Sequence, residues 1–340
     1  GTSSATTPVS SGPFGTGEVV VNSGAGLELM GNILFNNLVL AGDGFDNSDG
    51  LFPVFPPLTG VLSNTSNFGG SVSGNIELSA DATIRNVGGL EILGTIDAAS
   101  GASGSALTFA NTGLLQLSGT VGSTAPLDSL QVDGASYLDA DITTVGAQTF
   151  GGAVTVRSNI ALVTTNSAIT FQSTVDSDNN ERNDLSLTAG TGKISFSGAV
   201  GAATGTTRLG AIDIVSAGDV DAVAINAASL RQQAGSGTTT LDGSIDTNAA
   251  AGVSLSGTHL DLSGTLTTSN GGTVTVNQSG TADIASAADI SADGAVSLMA
   301  TGGITTAGDI TTTTDAITLH SSTTLSGDVA LSTGATGGTI

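Results

Sequence analysis

Pairs of apolar residues recur at a nearly constant distance in the C-terminal part of the chain. In each pair, two apolar side chains are separated by one residue, as in Val253 and Leu255. The first members of successive pairs are Val253, Val274, Val296 and Ile317. A period of about 21 residues predicts a solenoid, in which each turn is one structural unit stacked on the previous one.

Two further patterns describe the interior of each repeat. Apolar residues alternate with small polar ones over short runs, which places the apolar side chains on one face of a β-strand. A second apolar series keeps nearly the same spacing: Ile284, Ile304 and Leu325. Gly-containing pairs between these runs are typical turn residues. We therefore predict an all-β chain that forms a three-sided parallel β-helix, with about three short strands and about 21 residues per turn.

Composition supports strands over helices. The chain has 50 Gly in 340 residues and few Lys, Arg or Glu, the residues that normally fill helix surfaces. Because neighbouring parallel strands lie ~4.8 Å apart, roughly 16 turns would form a stiff rod on the order of 75 Å long.

Four regions are predicted along this axis. Residues 1–16 are polar with two prolines, and are expected to form a linker or frayed leader. Residues 17–120 predict irregular turns, with a Pro- and Phe-rich loop protruding at 42–60 because proline cannot donate to a strand ladder. Residues 121–240 contain a longer repeat of about 80 residues, and residues 241–340 contain the regular turns.

Charge and cysteine content limit the classes of partner. The chain has 29 acidic and six basic residues, for a formal net charge of -23, and it has no cysteine. Such a surface excludes nucleic-acid binding and binding to anionic membranes, and disulfides are absent. No apolar run is long enough to span a membrane as a helix, so membrane insertion of this segment is not expected. We expect a piece of a longer exported protein.

Two stretches resemble repeats of bacterial surface proteins. Residues 15–97, with GTGEVVVNSGAGLELMGN, NLVLAGDG and the motif D-A-T-I, resemble the autotransporter-associated β-strand repeat. Residues 121–200, with TTVGAQTFGGAVTV, are similar to filamentous-haemagglutinin-like repeats of giant exoproteins. The resemblance implies a right-handed β-helix at the bacterial cell surface or outside the cell, of Gram-negative type. It implies a non-enzymatic adhesin stalk or a component of an extracellular matrix or filament.

Enzymatic and ice-binding alternatives remain open at this point. Parallel β-helices also form carbohydrate-active lyases and hydrolases, which need clustered carboxylates, usually with a basic residue nearby. Asp219 and Asp221 are an acidic pair of this kind, but basic residues are scarce. His259 and His320 are too far apart in the repeat to share a site. Threonine pairs suggest an ice-binding face, although they do not recur at one position in each turn.

One acidic loop predicts a cation site. The segment DSDNNERND spaces its oxygen ligands as in a D-x-D-x-N cage, which a hard cation such as Ca²⁺ prefers. The predicted ligands are Asp176, Asp178, Asn180 and Asp184. The match to a calcium loop is incomplete, because Glu181 occupies the position where an EF-hand loop has Gly, and the alternative is a solvated polar turn. No other cofactor is expected, and GDGFDNSDG at 42–50 is a second, weaker candidate.

Aromatic residues of the Pro-rich loop predict an interaction surface. Phe150, Phe171 and Phe196 occupy alternating strand positions and are expected in the core. In contrast, Phe45, Phe52 and Phe55 lie in the predicted protrusion, where they would form a contact patch. The expected partners are further copies of this chain or other proteins of the cell surface or matrix.

Overall fold

The computed structural model describes residues 14–44, 60–65, 67–100, 105–179, 181–202, 206–335 and 337–340. These residues form short β-strands and no helix. The chain divides into two compact units, Gly1–Gly146 with Phe150–Gly152 (unit 1) and Ala147–Thr149 with Ala153–Ile340 (unit 2). In each unit the strands pair in parallel with strands of the preceding and following turns, as the sequence predicts for a β-solenoid.

Unit 1 stacks its strands in three columns, because each turn of the chain contributes once to each column. The first column joins Leu38 to Ile76 and Ile76 to Ile96, the second joins Ile84 to Phe109, and the third joins Ile92 to Leu117. The strands are β1 (Val19–Val21), β2 (Leu27–Glu28), β3 (Ile33–Leu34), β4 (Leu38–Gly42), β5 (Leu62–Asn64), β6 (Gly70–Val72), β7 (Ile76–Asn86), β8 (Leu90–Ile92), β9 (Ile96–Ala98), β10 (Ala106–Asn111), β11 (Leu115–Leu117), β12 (Ser129–Val132), β13 (Ser136–Leu138) and β14 (Ile142–Thr144), followed by β15 (Gln148–Phe150), which falls across the division.

Unit 2 also has three columns, and its last turns are the most regular. The first column joins Val253 to Val274, the second joins Leu260 to Ala282, and the third joins Leu266 to Ile290. Its strands are β16 (Val154–Val156), β17 (Ile160–Thr164), β18 (Ile169–Phe171), β19 (Val175–Ser177), β20 (Leu185–Thr188), β21 (Ile194–Phe196), β22 (Leu209–Ser216), β23 (Val220–Ala222), β24 (Ile225–Gln232), β25 (Thr238–Leu241), β26 (Ile245–Thr247), β27 (Val253–Gly257), β28 (His259–Leu262), β29 (Leu266–Thr268), β30 (Val274–Gln278), β31 (Thr281–Ile284), β32 (Ile290–Ala292), β33 (Val296–Ala300), β34 (Gly303–Thr306), β35 (Ile310–Thr312), β36 (Ile317–Leu319), β37 (Thr323–Leu325) and β38 (Leu331–Ser332). From β27 onward each turn has three strands, which confirms the predicted three-strand repeat.

The first apolar series predicted from the sequence is confirmed residue by residue. Val253 lies opposite Val274, Val274 opposite Val296, and Val296 opposite Ile317. These four side chains are at most 1% exposed. The period read from the sequence therefore corresponds to one turn of the solenoid in this region.

The register that the second series predicts is wrong by two residues, which is one inward position of the strand. Ile284 lies opposite Thr306, while Ile304 lies opposite Ala282. The connection from Ile284 to Ile290 is longer than the one from Thr306 to Ile310, and it closes with a turn in which Ala288 N–H donates to Ala285 C=O (3.0 Å). Strand side chains alternate with a period of two, so an inward residue is followed by another inward residue two positions later. The longer connection after Ile284 therefore makes Ile304 appear at the expected spacing, although the residue opposite Ile284 is Thr306.

The core consists of the inward side chains of the three columns. Most short strands are buried at both ends and partly exposed in the middle, as in Val154–Val156. Phe150, Phe171 and Phe196 are at most 1% exposed, so their predicted core positions are confirmed. The rings of Phe171 and Phe196, on adjacent turns, stack with centroids 5.1 Å apart. Buried aromatic pairs of this kind add to the stability that apolar burial provides.

Glycine is required at several corners between strands. A Cβ atom at Gly74 would overlap the carbonyl of Asn36, one at Gly94 the carbonyl of Gly74, and one at Gly119 the carbonyl of Gly94. These corners stack backbone against backbone with no room for a side chain. Part of the high glycine content is therefore explained by the close approach of successive turns.

Candidate functional site

The residues predicted to bind calcium lie at the end of β19 and in the loop that follows it, in unit 2. Asp176 lies in β19, and one of its carboxylate oxygens accepts a hydrogen bond from the Thr207 hydroxyl (3.2 Å). Ser177 N–H donates to Thr207 C=O (3.0 Å), and the Thr206 hydroxyl donates to the Asn179 amide oxygen (2.8 Å). The loop that follows β19 is thus bonded directly to the loop that precedes β22.

The predicted calcium ligands face different partners. Asp178 forms an ion pair with Arg157 (Nε to Oδ2, 3.4 Å), and Asp184 accepts the N–H of Ala211 (2.6 Å). Asn180 lies outside the described residues. Across the part of the chain that the structure describes, no three Asp, Glu or His side chains are close enough to share a metal ion. Calcium at this loop stays a prediction.

Arg208, which directly precedes β22, forms hydrogen bonds to the two turns that follow. Its guanidinium donates to Ala227 C=O (3.0 Å), to Asp246 C=O (2.8 Å) and to the Asp246 carboxylate (2.8 Å). The Arg208 side chain is only 11% exposed. A buried guanidinium needs such a set of acceptors, because an unpaired buried charge is strongly destabilising.

Burial raises the pKa of Asp176 above its ordinary value, and hydrogen bonds from Thr207 and Thr174 oppose that rise. The opposite holds for Asp293, where the N–H of Gly271 (2.7 Å) and the hydroxyl of Thr313 (2.8 Å) lower the pKa of the carboxyl. The two carboxyls therefore influence stability in opposite directions as pH changes.

Many exposed Asp and Asn side chains link one turn to the next. In three places the side-chain oxygen of one Asx residue accepts the N–H of the residue at the same position one turn later, and that residue, itself Asx, bonds to the turn after it. The three series are Asn37 to Asn75 to Thr95, Asn159 to Asp184 to Ala211, and Asp289 to Asp309 to Ala330, with distances of 2.6–3.1 Å. We call them the Asx ladders.

Sequence reasoning missed the Asx ladders, although a signal was present. Each Asx residue of a ladder directly precedes the first inward apolar residue of a strand, as in Asn75-Ile76, Asp289-Ile290 and Asp309-Ile310. At that position the side chain reaches the next turn's N–H at the strand entrance, where a backbone donor would otherwise bond only to water.

The acidic pair and the histidines also have structural contacts. Asp219 accepts the N–H of Thr238 (2.8 Å), and Asp221 pairs with Lys193. His259 Nδ1 accepts the N–H of Thr281 (3.1 Å). His320 follows β36 in the first column, whereas His259 is in the second, so the two imidazoles lie on different columns.

A groove in unit 1 is lined by several acidic residues, which are the groups that glycoside hydrolysis uses. It has a volume of about 450 Å³, and its lining includes the carboxylates of Glu18, Glu77 and Asp97. Glu77 and Asp97 lie directly opposite each other on adjacent turns. Asp97 accepts the N–H groups of Thr124 (2.8 Å) and Ala125 (3.1 Å). No Arg, Lys or His is among the described residues that line this groove, so it lacks the basic partner that lyase chemistry normally uses.

The predicted aromatic contact residues Phe45, Phe52 and Phe55 lie outside the described residues, as do Asp46 and Asp49 of the second calcium candidate. The described chain leaves this segment at Gly44 and returns at Gly60, and these two glycines form a parallel bridge.

No family model, no curated protein and no solved structure matches this chain. The resemblance to surface-protein repeats therefore stays a prediction. A search of the described residues for a helix both long and apolar enough to cross a bilayer finds none.

We predict that Arg208→Met destabilises the protein. The substitution keeps most of the side chain's bulk but leaves the carbonyls of Ala227 and Asp246 without their donor, which should cost about 1 to 3 kcal/mol. Chemical unfolding followed by circular dichroism measures this change. Arg182→Met, at an exposed position of the neighbouring loop, is the matched control. Equal midpoints for the two variants would contradict the role assigned to Arg208.

Two Asp→Asn substitutions should have opposite effects on stability. A raised folded-state pKa means that Asp176 favours folding most at acid pH, and that this contribution is lost as pH rises through the folded pKa. Asp176→Asn should therefore raise the Tm at neutral pH, and the difference should vanish below the ordinary Asp pKa of 3.8. Asp293→Asn should lower the Tm at neutral pH, and that loss should disappear as pH falls through the depressed pKa. Shifts of the same sign in both variants would refute the assignment.

Calcium binding at the loop after β19 predicts a dependence of the Tm on the ion. An ion that binds only the folded chain raises the midpoint by mass action, so melts in calcium should exceed melts in EDTA. Asp176→Asn with Asp178→Asn should abolish the difference. Identical wild-type midpoints in calcium and EDTA would remove the prediction.

Proposed function

We propose that this chain is a non-enzymatic structural segment of a large exported bacterial surface protein, acting as a rigid acidic spacer. The observation that carries the proposal is the use of its polar side chains. The Asx ladders, the Arg208 contacts and the Asp219 contact all join one turn to another. Side chains used in this way stiffen a stack of turns, as a spacer requires.

The finer points of the proposal rest on the sequence resemblance. We infer a right-handed β-helix of the autotransporter or filamentous-haemagglutinin type, located at the cell surface or in an extracellular matrix or filament. Its partners are further copies of the chain or other surface proteins. The acidic composition supports this setting, because like charge keeps exposed solenoids soluble and opposes aggregation.

The alternative is a fragment of a β-helical carbohydrate-active enzyme. One observation favours it: Glu77 and Asp97 face the same groove from adjacent turns. Two carboxylates about one strand spacing apart are the minimum set for glycoside hydrolysis. The described lining of the groove lacks a basic residue. The alternative that we consider is therefore hydrolysis by the two carboxylates, and not lyase chemistry.

Two measurements test the proposal. Small-angle X-ray scattering should give a maximum dimension on the order of 75 Å, as expected for stacked turns. A compact particle with a maximum dimension of about 50 Å, as for a globular chain of this length, would contradict the spacer role.

Incubation with neutral and acidic glycans, followed by assay of new reducing ends and unsaturated products, should give no product. Product formation that is lost in Glu77→Gln and Asp97→Asn would establish the enzymatic alternative instead. The matched control for those variants is Glu28→Gln, because Glu28 bonds to Ser63 and Thr65 and does not line the groove.

A further inference from the structure

An open trough crosses the outer surface of the third column of unit 1. The strand register places Gly69 beside Gly89, and Gly89 beside Leu114, on three successive turns. A Cβ atom at Gly69 would meet nothing within 4 Å, and one at Gly89 would meet only Gly69 Cα (3.8 Å) and Leu114 O (3.9 Å). These missing side chains leave a space of about 430 Å³ that runs from Ile33 to Leu114. We call it the glycine trough.

One side of the glycine trough carries a row of fixed polar groups. Ser71, Glu91 and Gln116 are in register on adjacent turns. Gln116 Nε2 donates to Asp139 Oδ2 (2.8 Å), and the Ser118 hydroxyl, which lies within 3.3 Å of a Glu91 oxygen, bonds to the same Asp139 oxygen (3.0 Å). These contacts hold the side chains in place before a ligand arrives, which lowers the entropy cost of binding.

Apolar side chains at the glycine trough are exposed to solvent. Ile33 is 54% exposed and Leu114 is 39% exposed, and both line the trough. Phe68 directly precedes Gly69 and is 75% exposed. The lining of the trough therefore combines exposed apolar side chains with one carboxylate, that of Glu91.

The chemistry of the trough selects among ligand classes. A peptide strand could not extend the sheet here, because β6 and β8 already pair with strands on both sides and the trough runs across them. Polyanions are disfavoured by the carboxylates of Glu91 and Asp139. What fits is a flat ligand with an apolar face for the glycine floor and Leu114, and with hydroxyl groups for Ser71, Glu91 and Gln116. Pyranose rings have this combination.

We propose that the glycine trough binds an uncharged linear polysaccharide along the solenoid axis, without turnover. Four turns at ~4.8 Å span about 14 Å, enough for a short stretch of an extended glycan. This binding site goes beyond the proposed spacer role and is separate from the groove that contains Glu77 and Asp97.

The test uses the full chain in pull-downs with insoluble cellulose, chitin, xylan and mannan, with pectin and alginate as acidic counterparts. The wild-type protein should be retained by at least one neutral polysaccharide and by neither acidic one. Gly69→Leu should abolish retention, because it fills the trough at a position with no positive φ and no neighbour to displace. Gln116→Ala should weaken binding about tenfold, because it removes the amide oxygen that can accept from a ligand hydroxyl and releases Asp139 and Ser118, which Gln116 holds in place.

Gly17→Leu is the matched control, since Gly17 is equally open and lies outside the trough. It should bind as the wild type does, and melting curves establish that all variants are folded. The proposal is overturned if no neutral polysaccharide retains the wild type, or if a folded Gly69→Leu is retained as well as Gly17→Leu.

Discussion

The structure depends on one constraint: every turn must bring three short strands back into parallel register with the turn before it. The length of chain used to do so varies widely. The first column of unit 2 takes a long turn from Leu185 to Ile212 and a much shorter one from Ile212 to Leu230. The strands keep their pairing while the connections between them absorb the difference. Insertions are accepted where the backbone can leave the stack, and the inward side chains are not disturbed.

The unusual composition follows from that constraint. Successive turns approach so closely at some corners that only glycine fits, as at Gly94 and Gly119. At strand entrances the Asx ladders supply acceptors for N–H groups of the next turn, which explains part of the excess of Asp and Asn over basic residues. A high content of acidic residues and glycine is also typical of cation-binding loops and of disordered chains. Here both residue types serve the stacking of the backbone.

The sequence predicts the repeat, the strand type and the core, because inward positions are apolar in nearly every turn. It fails where spacing alone must decide register. The insertion after Ile284 shifted the second series without changing its apparent period. The calcium prediction considered only neighbours in sequence, whereas Asp176 bonds to Thr207 and Asp184 to Ala211, both of which belong to a later turn of the chain. The glycine trough was hidden for the same reason: Gly69 and Gly89 each look like ordinary turn residues until the strand register aligns them.

Arg208 changes how this part of the solenoid can open. In an ideal stack each turn interacts only with its immediate neighbours, so stability is a sum of terms between adjacent turns. The guanidinium of Arg208 adds an interaction between turns that are not adjacent, because it bonds to Ala227 on the next turn and to Asp246 on the turn after that. Three consecutive coils are thereby coupled, and backbone amides across them should exchange with solvent deuterium as a single cooperative block, while coils elsewhere in the unit fray one at a time.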